Sequence, residues 1–115
     1  MRASARARRR LRITSVPVRF MAEGREATGL LKSVSRGGVF VAASELPHAG
    51  SPVVVQFESP TGLLVNARGE VRWTTRGRER PDVPAGFGVL LHEPPSEYRE
   101  FFLWAMERGE KPPGL

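Results

Sequence analysis

Cysteine is absent from this chain of 115 residues. Disulfides and cysteine-held metals are therefore excluded, and nothing marks an oxidising compartment. The two histidines, His48 and His92, stand apart in the sequence with no ligand cluster near either. Both are expected in loops. No apolar run is long enough to cross a bilayer, so membrane insertion is not expected. The N-terminus is rich in arginine but lacks the apolar segment of a secretory signal, and a cytoplasmic protein is expected. No serine has a histidine and an acid in a motif context, so no catalytic constellation is found and an enzyme is not expected.

Acidic residues are missing from the first 19 positions, which hold seven arginines. The net charge of +6 is a property of that segment, because the other 96 residues carry eleven basic and twelve acidic side chains. A near-neutral body argues against a broad nucleic-acid face. It favours a local anion site or a solvated arm. The length suits one domain with a modest core. A 40% apolar composition with two tryptophans indicates a folded chain. Residues 1–7 are expected to form a flexible basic arm, 8–108 the folded domain, and 109–115 a flexible tail.

What is present is a series of short β-branched and aromatic runs separated by turn residues. Strands are expected over 16–21, 27–34, 39–42, 52–58, 63–73 and 86–91. Pro17 suits only the edge or the start of a strand, and Gly69 suggests a bulge or bend. Residues 74–84, polar and charged, read as an exposed loop. Pro94-Pro95-Ser96-Glu97 reads as a helix start, with proline in the first turn and an acid near the positive dipole end. Tyr98, Phe101, Phe102 and Ala105 then follow at i, i+3, i+4 and i+7, one apolar helical face. Trp104 falls off the main part of that face, as a surface anchor or as the margin of a wider apolar face. Together these elements predict an all-β fold with one terminal helix: a small antiparallel six-stranded barrel closed by helix 98–106.

The stretch Leu30-Leu31-Lys32-Ser33-Val34-Ser35-Arg36-Gly37-Gly38-Val39-Phe40-Val41 organises the chain. Ser33 and Ser35 lie two apart and face the same way in an extended backbone. Gly37 and Gly38 allow positive φ and close approach of another molecule. The pair of hydroxyls could hold the polar edge of a ligand, or could bond their own backbone in a plain hairpin. Upstream, Arg8 and Arg12 form an Arg-x-x-x-Arg element, and Arg6 and Arg10 have the same spacing.

These two stretches, in this order, resemble the PilZ domain, a small β-barrel receptor for cyclic di-GMP. The family pattern is Arg-x-x-x-Arg followed by Asp/Asn-x-Ser-x-x-Gly. Here the second element begins with Ser33, and its serine and final glycine match. Gly69-Glu70-Val71-Arg72-Trp73 is similar to the family's Gly-x-Val-x-Trp strand, and Gly86-Phe87-Gly88-Val89 to its Gly-x-Gly-Val strand. The resemblance spans roughly residues 8–107. It implies a receptor for cyclic di-GMP, needing no other cofactor. It also implies a ligand site of Arg8, Arg9, Arg12, Ser33, Ser35, Gly37 and Gly38.

Arginine suits such a ligand, because its planar fork pairs with phosphate oxygens and with guanine O6 and N7. Trp73 reads either as a residue of the strand's core face or as a platform on which a base stacks. In the family the acid or amide bonds the guanine edge. Ser33 cannot make that paired contact, and a lost pair can be worth about 1–3 kcal/mol. Three readings follow. The first is a single-domain receptor and adaptor: with no output domain in the chain, it signals to a partner protein. The second is a divergent domain that serves a protein partner without the nucleotide. The third is an arm that binds nucleic acid in a salt-sensitive way.

Overall fold

The structure, a computed structural model, describes residues 10–78, 80–82 and 84–108. The arm at 1–7, Arg8, Arg9 and the tail at 109–115 lie outside the described residues. Six strands and one helix follow in order: β1 Leu11–Ala22, β2 Arg25–Ser35, β3 Gly38–Ala42, β4 Pro52–Glu58, β5 Leu64–Thr74, β6 Gly86–Leu91 and α1 Ser96–Arg108. Every pairing is antiparallel, and the order β1-β2-β3-β6-β5-β4 closes into a barrel. The expected fold class is thus the observed one.

Alternation explains which residues fill it. In β1, Val16, Val18, Phe20 and Ala22 are buried while Pro17, Arg19 and Met21 point outward. Val53, Val55 and Phe57 do the same in β4, and Val65, Ala67 and Val71 in β5. Phe20 meets Phe87 edge-on across the interior, with ring centres 4.9 Å apart. The first strand begins at Leu11, five residues before the expected start. Pro17 does not end it, because β4 pairs with β1 only from Arg19 onward. The stretch before Arg19 has β2 alone as a strand partner, where a missing N–H is tolerated.

Three register breaks interrupt the ladders, at Arg12–Val16 in β1, Leu31–Ser33 in β2 and Val71–Trp73 in β5. The bulge expected at Gly69 is not there. Gly69 keeps register with both Val53 and Leu91. A side chain at Gly69 would instead overlap the Leu90 carbonyl oxygen, so the glycine serves close approach of two strands.

The β1–β2 connection is a two-residue turn with Glu23 at φ 55° and Gly24 at φ 74°, the double positive φ of a type I′ hairpin. Glu23 Oε2 accepts bonds from His48 Nδ1 at 2.7 Å and Ser51 Oγ at 3.1 Å. His48 is a loop residue as expected, and it holds the 43–51 loop to this turn. The 75–85 loop is tied back as well, since Arg76 Nη1 donates to the Leu46 carbonyl at 2.8 Å.

Helix α1 starts where the Pro95 carbonyl accepts from Tyr98 N at 3.0 Å and Arg99 N at 3.2 Å. Tyr98, Phe101, Phe102 and Ala105 are buried, as the spacing predicts. Phe101 packs edge-on against Phe57 near the end of β4, at 5.1 Å. Trp104 is half-buried and stacks on Phe101 at 6.4 Å. The apolar face is wide enough to include it, and Leu103 and Met106 are the exposed apolar residues of the helix.

Candidate ligand-binding cleft

The β2–β3 hairpin carries Ser33 to Gly38, and each of its groups has a distinct surrounding. Ser35 and Gly38 are register partners at the turn. Ser35 is buried, and its Oγ donates to the Gly38 carbonyl at 3.3 Å. The hydroxyl thus bonds its own hairpin, as the plain reading of this stretch expects. Neither Gly37 nor Gly38 has the positive φ expected of them. Gly38 is required for space: an added Cβ would lie 2.7 Å from the Val89 carbonyl oxygen and 3.6 Å from Arg10 Nη2. At Gly37 an added Cβ meets nothing within 4 Å, while its carbonyl accepts from Leu91 N at 2.8 Å.

Arg10, the first described residue, reaches this hairpin with its side chain. Its Nη1 donates to Ser33 Oγ at 3.3 Å, and its guanidinium lies over Gly38. Burial lowers its pKa from the ordinary arginine value, and the neighbouring Tyr98 phenol acts in the opposite sense. The group remains a cation at any physiological pH. Arg12 stands opposite Ser33 in the β1–β2 register with an exposed side chain, and it does not line the cleft. Of these two arginines, Arg10 is the one whose side chain meets the hairpin.

Beyond the hairpin lies an aromatic surface. Strict alternation along β5 buries Val65, Ala67, Gly69 and Val71, and would bury residue 73 as well. The register break after Val71 turns Trp73 outward instead. It is 46% exposed and is not the core residue that one reading of the sequence expected. Its ring lies nearly parallel to Phe40, with centres 5.3 Å apart and planes 11° apart. Gly88 pairs with both Phe40 and Trp73, and a side chain there would strike the indole. The glycine of β6 is a floor across which the two rings meet.

Arg10, Ser35, Gly37, Gly38, Arg72 and Trp73 line one open cleft of about 400 Å³, floored by Gly88 and its neighbours. Larger hollows of about 490 and 720 Å³ lie elsewhere on the barrel, and neither is lined by Arg10 or by a residue of the Ser33–Gly38 hairpin. The cleft offers cations, a hydroxyl and a flat aromatic face, the groups that phosphate and a purine ring engage. Arg72, Phe40 and Tyr98 are not among the expected site residues, and Arg10 is offered by the sequence only through the alternative Arg6/Arg10 spacing. Phe40 was legible from the alternation Val39-Phe40-Val41, which turns it away from the core side.

The model of the PilZ domain matches residues 2–103. The chain belongs to the PilZ family. Its barrel resembles that of the Bacillus subtilis inhibitor of motility (MotI/DgrA), with TM-score 0.69 and 17% identity. That match covers 88% of this chain, which spans about half (50%) of the other. It also resembles the PilZ domain of CeSA from a cellulose synthesizing bacterium, with TM-score 0.57, 14% identity, and 86% and 96% of the two chains covered. At these identities the likeness is one of fold. No curated protein sequence matches significantly. PilZ domains are regulatory binding modules. Among the described residues of this one, no helix is long and apolar enough to cross a membrane.

Proposed function

We propose that this PilZ domain is a receptor for cyclic di-GMP, bound in the cleft between the β2–β3 hairpin and Trp73, and that it passes the signal to a partner protein. The observation that carries this reading is the convergence of Arg10, Ser33 and Gly38 beside an exposed indole. Arg10 donates to a phosphate oxygen or to guanine O6 and N7, and Arg72 adds a second cation at the rim. Arg8 and Arg9 directly precede Arg10 in the chain and supply further positive charge to the same ligand. A guanine stacks on Trp73, which Phe40 holds flat. Ser33, Ser35, Gly37 and Gly38 shape the base edge, and Arg12 contributes through the long-range field. A stacked base changes the emission of Trp73. Titration with cyclic di-GMP should therefore give a saturable fluorescence change in the wild type that is lost in Trp73→Leu, although Trp104 remains. A wild type with no such change at millimolar nucleotide would count against the receptor.

One observation favours a second reading, in which the domain serves a protein partner alone. Ser33 stands where the family has an acid or amide, and its hydroxyl is already engaged by Arg10. Ser33→Asp separates the two. A receptor should bind more tightly with a carboxylate that accepts two guanine donors. A domain that has lost the site should remain silent in both forms.

A further inference from the structure

Tyr98 belongs to α1, yet its hydroxyl ends inside the hairpin. The ring is fully buried. The phenol lies 2.5 Å from the Ser35 carbonyl oxygen and 3.2 Å from that of Gly38, 63 and 60 residues away in the chain. Ser35 and Gly38 are register partners at the two ends of the turn. A single phenolic proton is therefore shared between the two ends of the turn, from its inner side. A second tie runs outside: the Arg36 guanidinium, at the tip of the hairpin, sits 5.8 Å from the centre of the Phe102 ring. Arg10, on the cleft side of the same turn, is close enough for its charge to interact with the phenol. Burial pushes the Tyr98 phenol up, against smaller opposing effects of Arg10 and the Ser35 backbone. It stays protonated and able to donate across the physiological range.

We propose that Tyr98 is a positioning residue that pins α1 to the Ser33–Gly38 hairpin, so that hairpin and helix tighten and loosen as one unit. A ligand held at the hairpin is then felt in α1. The physical reason is that the carbonyl of the buried Ser35 loses the phenol's hydrogen bond if α1 withdraws. Hairpin and helix therefore share one opening event instead of two. The transmission of a ligand signal rests on the nucleotide reading above, while the coupling itself does not.

Amide hydrogen exchange on the full chain tests both. Tyr98→Phe keeps the ring and removes only the hydroxyl. Phe101→Leu disturbs the helix core and leaves the hairpin hydrogen bonds in place. In the free protein, Tyr98→Phe should speed exchange about tenfold in the hairpin and in the first turns of α1 together. Phe101→Leu, which keeps the pin, should speed α1 and the hairpin together, whereas added to Tyr98→Phe it should speed α1 alone. With cyclic di-GMP added, the wild type should gain protection in α1 as well as in the hairpin, and Tyr98→Phe in the hairpin alone. Wild-type exchange rates at the hairpin in Tyr98→Phe would overturn the pin, as would a hairpin that keeps its wild-type rate while Phe101→Leu speeds α1. If wild-type protein does not bind the nucleotide at all, the receptor reading fails, and the free-protein comparison still decides the role of Tyr98.

Discussion

An added methyl at Gly38 would press on the Val89 carbonyl at 2.7 Å, and at Gly37 it would enter open space. Backbone cannot yield as a long side chain can, so Gly38→Ala should destabilise the domain by about 1–3 kcal/mol. Gly37→Ala should change stability by less than about 1 kcal/mol, and in the stabilising direction, because it restricts the unfolded chain. Thermal unfolding of the two variants checks this, and equal losses would contradict it. The sequence offers both glycines for positive φ and for close approach of another molecule. It could not tell them apart, because the difference lies in how closely β6 approaches β3. The arginine register was hidden for a similar reason. Arginines at 6, 8, 10 and 12 make the same spacing twice over, and nothing in that spacing says that the Arg10 side chain is one that meets Ser33. The hairpin itself was legible, since its serines and glycines are turn residues between two apolar runs.

At the scale of elements, periodicity was the strongest signal and bulges were its limit. The helix followed from four apolar residues on one face, and the alternation in β4 from Val53, Val55 and Phe57. Trp73 did not follow, because one extra residue in β5 reverses the face of everything after it. The β1–β2 turn is another case where a local rule bends. Type I′ turns favour Asn, Asp or Gly at a site with positive φ, yet Glu23 occupies it. Its carboxylate is what the turn retains, since it holds the 43–51 loop through His48 and Ser51. The His48 side-chain hydrogen bond, opposed by desolvation and helped by the Ser51 bond, keeps Glu23 below its ordinary value. A depressed carboxylate stabilises the fold above its unfolded pKa, and that contribution is lost as pH falls through the folded value. Urea midpoints for wild type should therefore drop more steeply below about pH 4.3 than those for Glu23→Gln. Parallel curves would show that the pair holds the loop without contributing to stability.

For the whole molecule, closure of the barrel leaves function to its outer wall. The interior is filled by aliphatic and aromatic side chains, so a ligand must bind outside, where the hairpin, β5 and β6 meet. Composition confines the excess positive charge to the first 19 residues, and Arg10, one of its arginines, lies at the cleft. The account therefore requires a geometric site and not a general attraction to basic surface. Arg19 provides the comparison: its guanidinium lies on another part of the wall, paired with Glu26 at 3.3 Å, and its loss changes the net charge equally. Calorimetric titration of cyclic di-GMP into wild type, Arg10→Ala and Arg19→Ala is the most direct measurement. Loss of a charge-assisted hydrogen bond worth about 1.5–3 kcal/mol should weaken Arg10→Ala by roughly 10- to 100-fold, with Arg19→Ala within about twofold of wild type. No heat of binding in wild type, or an equal loss in both variants, would contradict a nucleotide site in this cleft.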